Sequence, residues 1–188
     1  YTVDAGGTVR VRCHYRGQKG LPQLPLFGLR FTVPFVADNV RWQGRRGETY
    51  PDRKKGGAFG IWESPVGKPD YLVPQEYGCH ADTHWVKLYG PADGAGTAFA
   101  GESGAAGQRS HCLEISMEEK PFYFSAIPYT PQELESALHR EELPAPRRTV
   151  VSILGAMRGG VSEESTAGDR MWNRLTMCRQ MRILSMDL

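Results

Sequence analysis

Apolar and polar residues alternate over short stretches of this chain, and the period of two predicts strands. From Gly7 to Tyr15, Val9, Val11, Cys13 and Tyr15 fall on one side and Arg10, Arg12 and His14 on the other, the pattern of a strand with one wet face. Leu26 to Val33 repeats it, with Phe27, Leu29 and Phe31 alternating with Gly28, Arg30 and Thr32 until Pro34 ends the run. Val40 and Trp42 then share a face as the chain enters a loop dense in Gly, Arg, Glu and Tyr that closes at Pro51-Asp52-Arg53. Ala58 to Glu63 reads as a short strand carrying Phe59 and Ile61 inward, and Leu72 to Gly78 as an extended piece interrupted by Pro74. His84 to Tyr89 is a further strand, and Gly90 to Gly107 a weak one between loose turns. Arg109 to Met117 and Phe122 to Ile127 read as a pair of strands joined at Glu118-Glu119-Lys120-Pro121, and Thr149 to Leu154 as the strand after them.

One segment predicts helix. Thr130 is placed to cap, Pro131 sits where a first turn accepts it, and Glu133 completes a capping box. Leu134, Ala137 and Leu138 would form the apolar stripe of a helix of two to three turns lying on a sheet. Leu143-Pro144-Ala145-Pro146 follows as a stiff connector.

Composition narrows the picture. A chain of 188 residues fits one domain, and 22 Gly with 13 Pro suit short strands joined by turns. A net charge of +2 with no basic block argues against nucleic acid or an anionic membrane surface as partner. No apolar run reaches the roughly 20 residues of a membrane span. The start, Tyr1-Thr2-Val3-Asp4, reads as neither a signal peptide nor an initiator Met, so the chain is expected to be a segment of something longer. Cys13, Cys79, Cys112 and Cys178 form no CxxC pair, and reduced thiols in the cytoplasm are the expectation, with one disulfide as the alternative.

Several constellations invite chemistry. In an extended Cys79-His80-Ala81-Asp82-Thr83-His84, His80, Asp82 and His84 would share one face and offer three zinc ligands; the plainer reading is a polar, solvent-facing strand edge. No Gly-x-Ser-x-Gly elbow supports a nucleophile, and the glycines at 101–104 and 155–160 lack a strand-to-helix setting for phosphate. Glu118-Glu119 and Glu141-Glu142 are adjacent pairs flanking turns, as solvated charge usually is, rather than carboxylates facing each other across a glycosidic bond. Trp42, Tyr50, Trp62, Tyr71, Tyr77 and Trp85 could include a platform for a sugar ring, though half or more should be core. No metal and no cofactor is expected in this chain.

Several phrases then agree with one another. Leu29-Arg30-Phe31, Asn39-Val40-Arg41-Trp42, Gly44-Arg45 and Glu48 to Arg53 (Glu-Thr-Tyr-Pro-Asp-Arg) are followed by Val-Pro-Gln-Glu-x-Gly (Val73 to Gly78), Phe124 to Leu134, and His139 to Leu143. Together they resemble, in order, the C-terminal region of bacterial β-galactosidases of glycoside hydrolase family 2, the small-chain or fifth-domain part. The resemblance implies an all-β, antiparallel β-supersandwich of the galactose mutarotase-like kind, here partial, with one short helix. It implies no catalytic residue in this chain, because the family's glutamates lie on a separate barrel domain. That barrel would be the direct partner, galactoside an indirect one, and the intact enzyme an oligomer. Glu48, Tyr50, Asp52, Arg53, Gln75 and Glu76 become motif residues of a loop that packs domains, with Asp52 and Arg53 pairing with each other or with a neighbouring domain.

Two departures from that pattern stand out. Arg45-Arg46-Gly47 is one residue shorter than the family's phrase, and after Met157 the family's Gly-Gly-x-Asp-Ser-Trp loop, whose Trp reaches the sugar site, has no counterpart. Residues 1–158 therefore follow the family and 159–188 form a divergent tail. The codons of Val161 to Leu188, read one frame over, permit that loop and a family-like ending, so a frameshift near Arg158 is the expectation, and such a tail should pack poorly. DNA showing a coding frame with no shifted match would sink it.

Overall fold

The computed structural model describes residues 1–16, 26–33, 35–47, 57–72, 78–91, 109–117, 120–157 and 176–187, with the backbone alone for 14–16, 26, 109–111, 155–157 and 176–187. The architecture is all-β, as the alternation requires: eleven strands, one short helix and a 3₁₀ turn among the described residues. The strands are β1 (Thr2–Val3), β2 (Thr8–Arg16), β3 (Leu26–Val33), β4 (Asn39–Arg45), β5 (Phe59–Pro65), β6 (His80–Thr83), β7 (Trp85–Pro91), β8 (Arg109–Met117), β9 (Phe122–Ile127), β10 (Thr149–Met157) and β11 (Thr176–Asp187). The helix α1 is Pro131–Ser136. A seven-stranded antiparallel sheet runs β1-β2-β11-β8-β7-β4-β5, and a four-stranded one runs β3-β10-β9-β6.

Each sheet turns one set of alternate residues onto a shared core, as period-two patterning dictates. Val11, Val40, Trp42, Val86, Leu88, Leu113 and Ile115 come from the larger sheet; Phe122, Phe124, Val151 and Ile153 come from the smaller. A satellite cluster of Tyr129, Leu134 and Leu143 gathers under α1, with Leu72, Ile127 and Ala137 against it.

The chain changes sheets between β6 and β7. Asp82 takes a positive φ of 50°, the pairing of β6 with β9 shifts between His80 and Thr83, and the His84 amide donates to the Gln43 carbonyl at 2.9 Å in the larger sheet. A bulge that bends a strand and increases its local twist is a usual way to turn such a corner. Cys79 to Thr83, with His80 and Thr83 both buried, are therefore interior and not a solvent-facing edge.

Three other expectations are corrected. Phe59 and Ile61 point outward, 50% and 53% exposed, because the larger Trp62 takes the inward face opposite Trp42. β8 and β9 do not pair: β8 lies between β7 and β11, and β9 between β10 and β6, so the connection around Pro121 crosses from one sheet to the other. The helix ends at Ser136, under two turns, since Ala137 is already extended and Leu138 is 82% exposed; only Leu134 and Ala137 of the expected stripe pack. Within residues 159–188, the backbone of β11 pairs with β2 on one side and β8 on the other. The weak strand foreseen at 90–107 lies outside the described residues apart from its first two positions, as do 73–77 of the extended piece.

Candidate functional site

The hairpin from β4 to β5 carries the family-motif loop, and its root is the most heavily braced polar region described. Along β4 the buried positions are Val40, Trp42 and Gly44. Gly44 is where the two sheets touch: a Cβ there would lie 2.9 Å from Thr83 Oγ1 and 3.0 Å from the Ala81 carbonyl, so only glycine lets β4 approach β6 this closely. That approach brings residues separated by nearly 40 positions into one network.

Arg45 reaches across it. Its Nε donates to Asp82 Oδ2 at 2.9 Å and its Nη1 to the Gly57 carbonyl at 3.0 Å. His80 lies with its ring stacked on Phe124 (centroids 4.6 Å apart) and tilted against Trp42 (4.2 Å), and its Nδ1 meets the Gly47 carbonyl at 3.1 Å. A carbonyl only accepts, so Nδ1 carries the proton. Burial pushes the His80 pKa down to about 4 against the opposing pull of that hydrogen bond, and the ring is neutral at physiological pH. The indole N–H groups complete the root: Trp42 donates to the Arg45 carbonyl at 3.0 Å and Trp62 to the Gly44 carbonyl at 3.1 Å. Arg46 lies over the Trp62 ring, 5.1 Å from its centroid, and its amide donates to Ala58 at 2.8 Å.

The carbonyls that bracket 48–56, Gly47 and Gly57, are thus each held by a side chain from the body of the fold. Glu48, Tyr50, Asp52 and Arg53, with the pairing expected of the last two, lie outside the described residues, as do Gln75 and Glu76. Of the aromatic platform, Trp42 is buried, Trp62 and Trp85 are half-buried, and Tyr71 is exposed; Tyr50 and Tyr77 lie outside the described residues.

The zinc arrangement does not form. Positive φ at Asp82 breaks the alternation, sending His80 to Trp42 and Phe124, Asp82 to Arg45, and His84 edge-on to Phe59 at 5.6 Å. Among the described residues no three His, Cys, Asp or Glu side chains are grouped to hold a metal. Cys13 and Cys112 are free thiols. Glu141 is exposed, and Glu142 is spent on the Leu138 and His139 amides; Glu118 and Glu119 lie outside the described residues. The Arg45–Asp82 pair and the inward His80 have no local signal, because both depend on strands that only the fold brings together.

The comparisons fit this picture. A family described as beta galactosidase small chain matches residues 1–181. The chain belongs to that family. It is 46% identical over 172 residues to the beta-galactosidase small subunit of Latilactobacillus sakei, covering 90% of this chain and 51% of that protein. It is 33% identical over 177 residues to the beta-galactosidase BgaC of Bifidobacterium adolescentis and 33% over 178 to a beta-galactosidase of Halalkalibacterium halodurans, each time over 92% of this chain and 15% of the relative. The family member described here therefore spans about half the length of a small subunit and a far smaller part of the long relatives. No helix among the described residues is long and apolar enough to cross a membrane.

Proposed function

We propose that the chain is a non-catalytic component of a β-galactosidase of glycoside hydrolase family 2, supporting hydrolysis of terminal β-D-galactosides of the lactose type. Two glutamates on a separate barrel domain would perform retaining hydrolysis through a glycosyl-enzyme intermediate. This chain would wall the sugar site and aid assembly, with the braced hairpin root presenting the loop at 48–56 to the barrel, in a cytoplasmic, oligomeric enzyme. The observation that carries the reading is the 46% identity over nearly the whole chain to a protein named as a β-galactosidase small subunit. A loop root fixed by Arg45, His80 and two indoles suits a docking element, because ordering it on contact then costs little.

The test is hydrolysis of a chromogenic β-galactoside by the chain alone, by the catalytic remainder of its enzyme alone, and by the two together. Activity only in the combined sample is expected. Turnover by the isolated chain, or full turnover by the remainder without it, would overturn the reading. Calorimetry with galactose and lactose separates it from a free-standing carbohydrate-binding module, for which the isolated chain should bind at millimolar affinity or tighter.

A further inference from the structure

Two side chains of β6 govern opposite ends of the hairpin loop between β4 and β5. His80 Nδ1 donates to the Gly47 carbonyl, while Asp82 fixes Arg45, whose Nη1 donates to the Gly57 carbonyl. In a regular strand, residues 80 and 82 would point the same way. The irregularity between His80 and Thr83 separates them, so the ring stays with Trp42 and Phe124 while the carboxylate meets the guanidinium. Asp82 is also the one non-glycine residue at positive φ among the described residues. Aspartate tolerates that region better than most side chains, yet glycine, with no Cβ to strain, is its ordinary occupant. A carboxylate kept at a φ of 50° points to work for the side chain, and here it holds Arg45 Nε at 2.9 Å.

We propose that Asp82 is a positioning residue for docking of this chain onto the catalytic part of its enzyme: acting through Arg45, it sets the Gly57 end of the loop. The proposal rests on the reading above, in which that loop meets the barrel. β6 belongs to the smaller sheet and β4 and β5 to the larger, so the same contact ties the direction of the loop to the way the two sheets sit. A guanidinium suits this task because its donors lie in one rigid plane: with Nε set on Asp82, Nη1 is aimed at Gly57. Without the carboxylate Arg45 gains other rotamers, the Gly57 carbonyl loses its fixed donor, and docking must then do the ordering. Because the ion pair is partly solvated, its loss weakens docking more than it weakens the fold.

The chain is titrated into a fixed amount of the catalytic remainder, and recovered hydrolysis of a chromogenic β-galactoside gives a midpoint and a saturating rate. Asp82→Asn is expected to raise the midpoint ~5-fold or more and to leave the saturating rate unchanged. Arg45→Gln, which loses both contacts, should raise it further. The double variant should match Arg45→Gln alone, since the route from Asp82 runs through Arg45. Thr130→Ala, with a comparable cost to the fold but far from the loop, should keep the parent midpoint. A parent chain that recovers no activity would overturn the reading above and the proposal with it. Recovery by the parent with an unshifted midpoint for Asp82→Asn, or with losses that add in the double variant, would overturn the proposal alone. So would an equal shift for Thr130→Ala, which would trace the effect to stability.

Discussion

Two polar anchors in this fold do similar work by opposite means. At α1, Thr130 and Glu133 hold each other: the Thr130 amide donates to Glu133 Oε2 at 2.7 Å and the Glu133 amide to Thr130 Oγ1 at 3.2 Å. Arg148 adds a two-pronged contact to the same carboxylate at 2.8 and 2.9 Å. At the β4–β5 hairpin root, the anchoring groups come from β4, β6 and the far side of the hairpin, and rings rather than a capping box surround them. The first anchor is nearly all local; the second is long-range and is built around the buried rings of Trp42 and His80, although the ion pairs of the two are similarly exposed. Local anchors set where an element begins, whereas long-range ones set how two sheets sit against each other.

The comparison breaks most readily at Trp42. Trp42→Ala removes a 3%-exposed side chain from the core and the indole contact with the Arg45 carbonyl, and should cost about 3–5 kcal/mol in urea unfolding. A loss of 1 kcal/mol or less would mean that the root is not the stronger anchor.

The next largest effect is with pH. His80 is lowered from 6.5 to about 4 in the fold, so the unfolded chain binds more protons between those values. Its contribution is fully present above pH 6.5 and is lost as pH falls toward 4, by about 3 kcal/mol in all. His80→Phe keeps a ring between Trp42 and Phe124 and should flatten the slope in that window; an unchanged slope would assign it to another group. Glu133 acts lower. Burial pushes its pKa up, but the Thr130 amide and Arg148 outweigh that and hold it below the ordinary carboxylate value. Its contribution is present above about pH 4.5 and falls away only below that.

Thr130→Ala should cost about 1 kcal/mol, the usual cap penalty, and should leave the root untouched. Combined with Trp42→Ala, the two losses should add, because the sites share no partner. Asp82→Asn should have the smallest effect, about 1 kcal/mol or less. The pair with Arg45 is partly solvated at 32% and 24% side-chain exposure, and asparagine tolerates a φ of 50°. A cost above about 2 kcal/mol would show that the ion pair, rather than the ring stack, carries the root.

Much of the fold was legible because alternation is a local property. The strands at Thr8–Arg16 and Leu26–Val33 match the alternating runs, Arg109–Met117 is the strand foreseen there, and Thr130 caps α1 as its spacing with Glu133 requires. The misread faces share one cause. Phe59, Ile61 and Trp62 are all apolar, so alternation along β5 could not choose a face; the pairing of Trp62 with Trp42 did. Nor does anything near Asp82 announce a left-handed residue that turns the chain between sheets.

The sequence by itself determined the all-β class, the strand periods, the capped helix and the family, because these follow from neighbours along the chain and from motifs kept in order. Only the tertiary structure decided which strands share a sheet, that His80 is a neutral core ring, and that Arg45 clamps Gly57 while holding Asp82. Those outcomes depend on contacts between residues tens of positions apart. Close packing at Gly44 and the bulge at Asp82 make those contacts possible, and no window along the chain contains both of their partners.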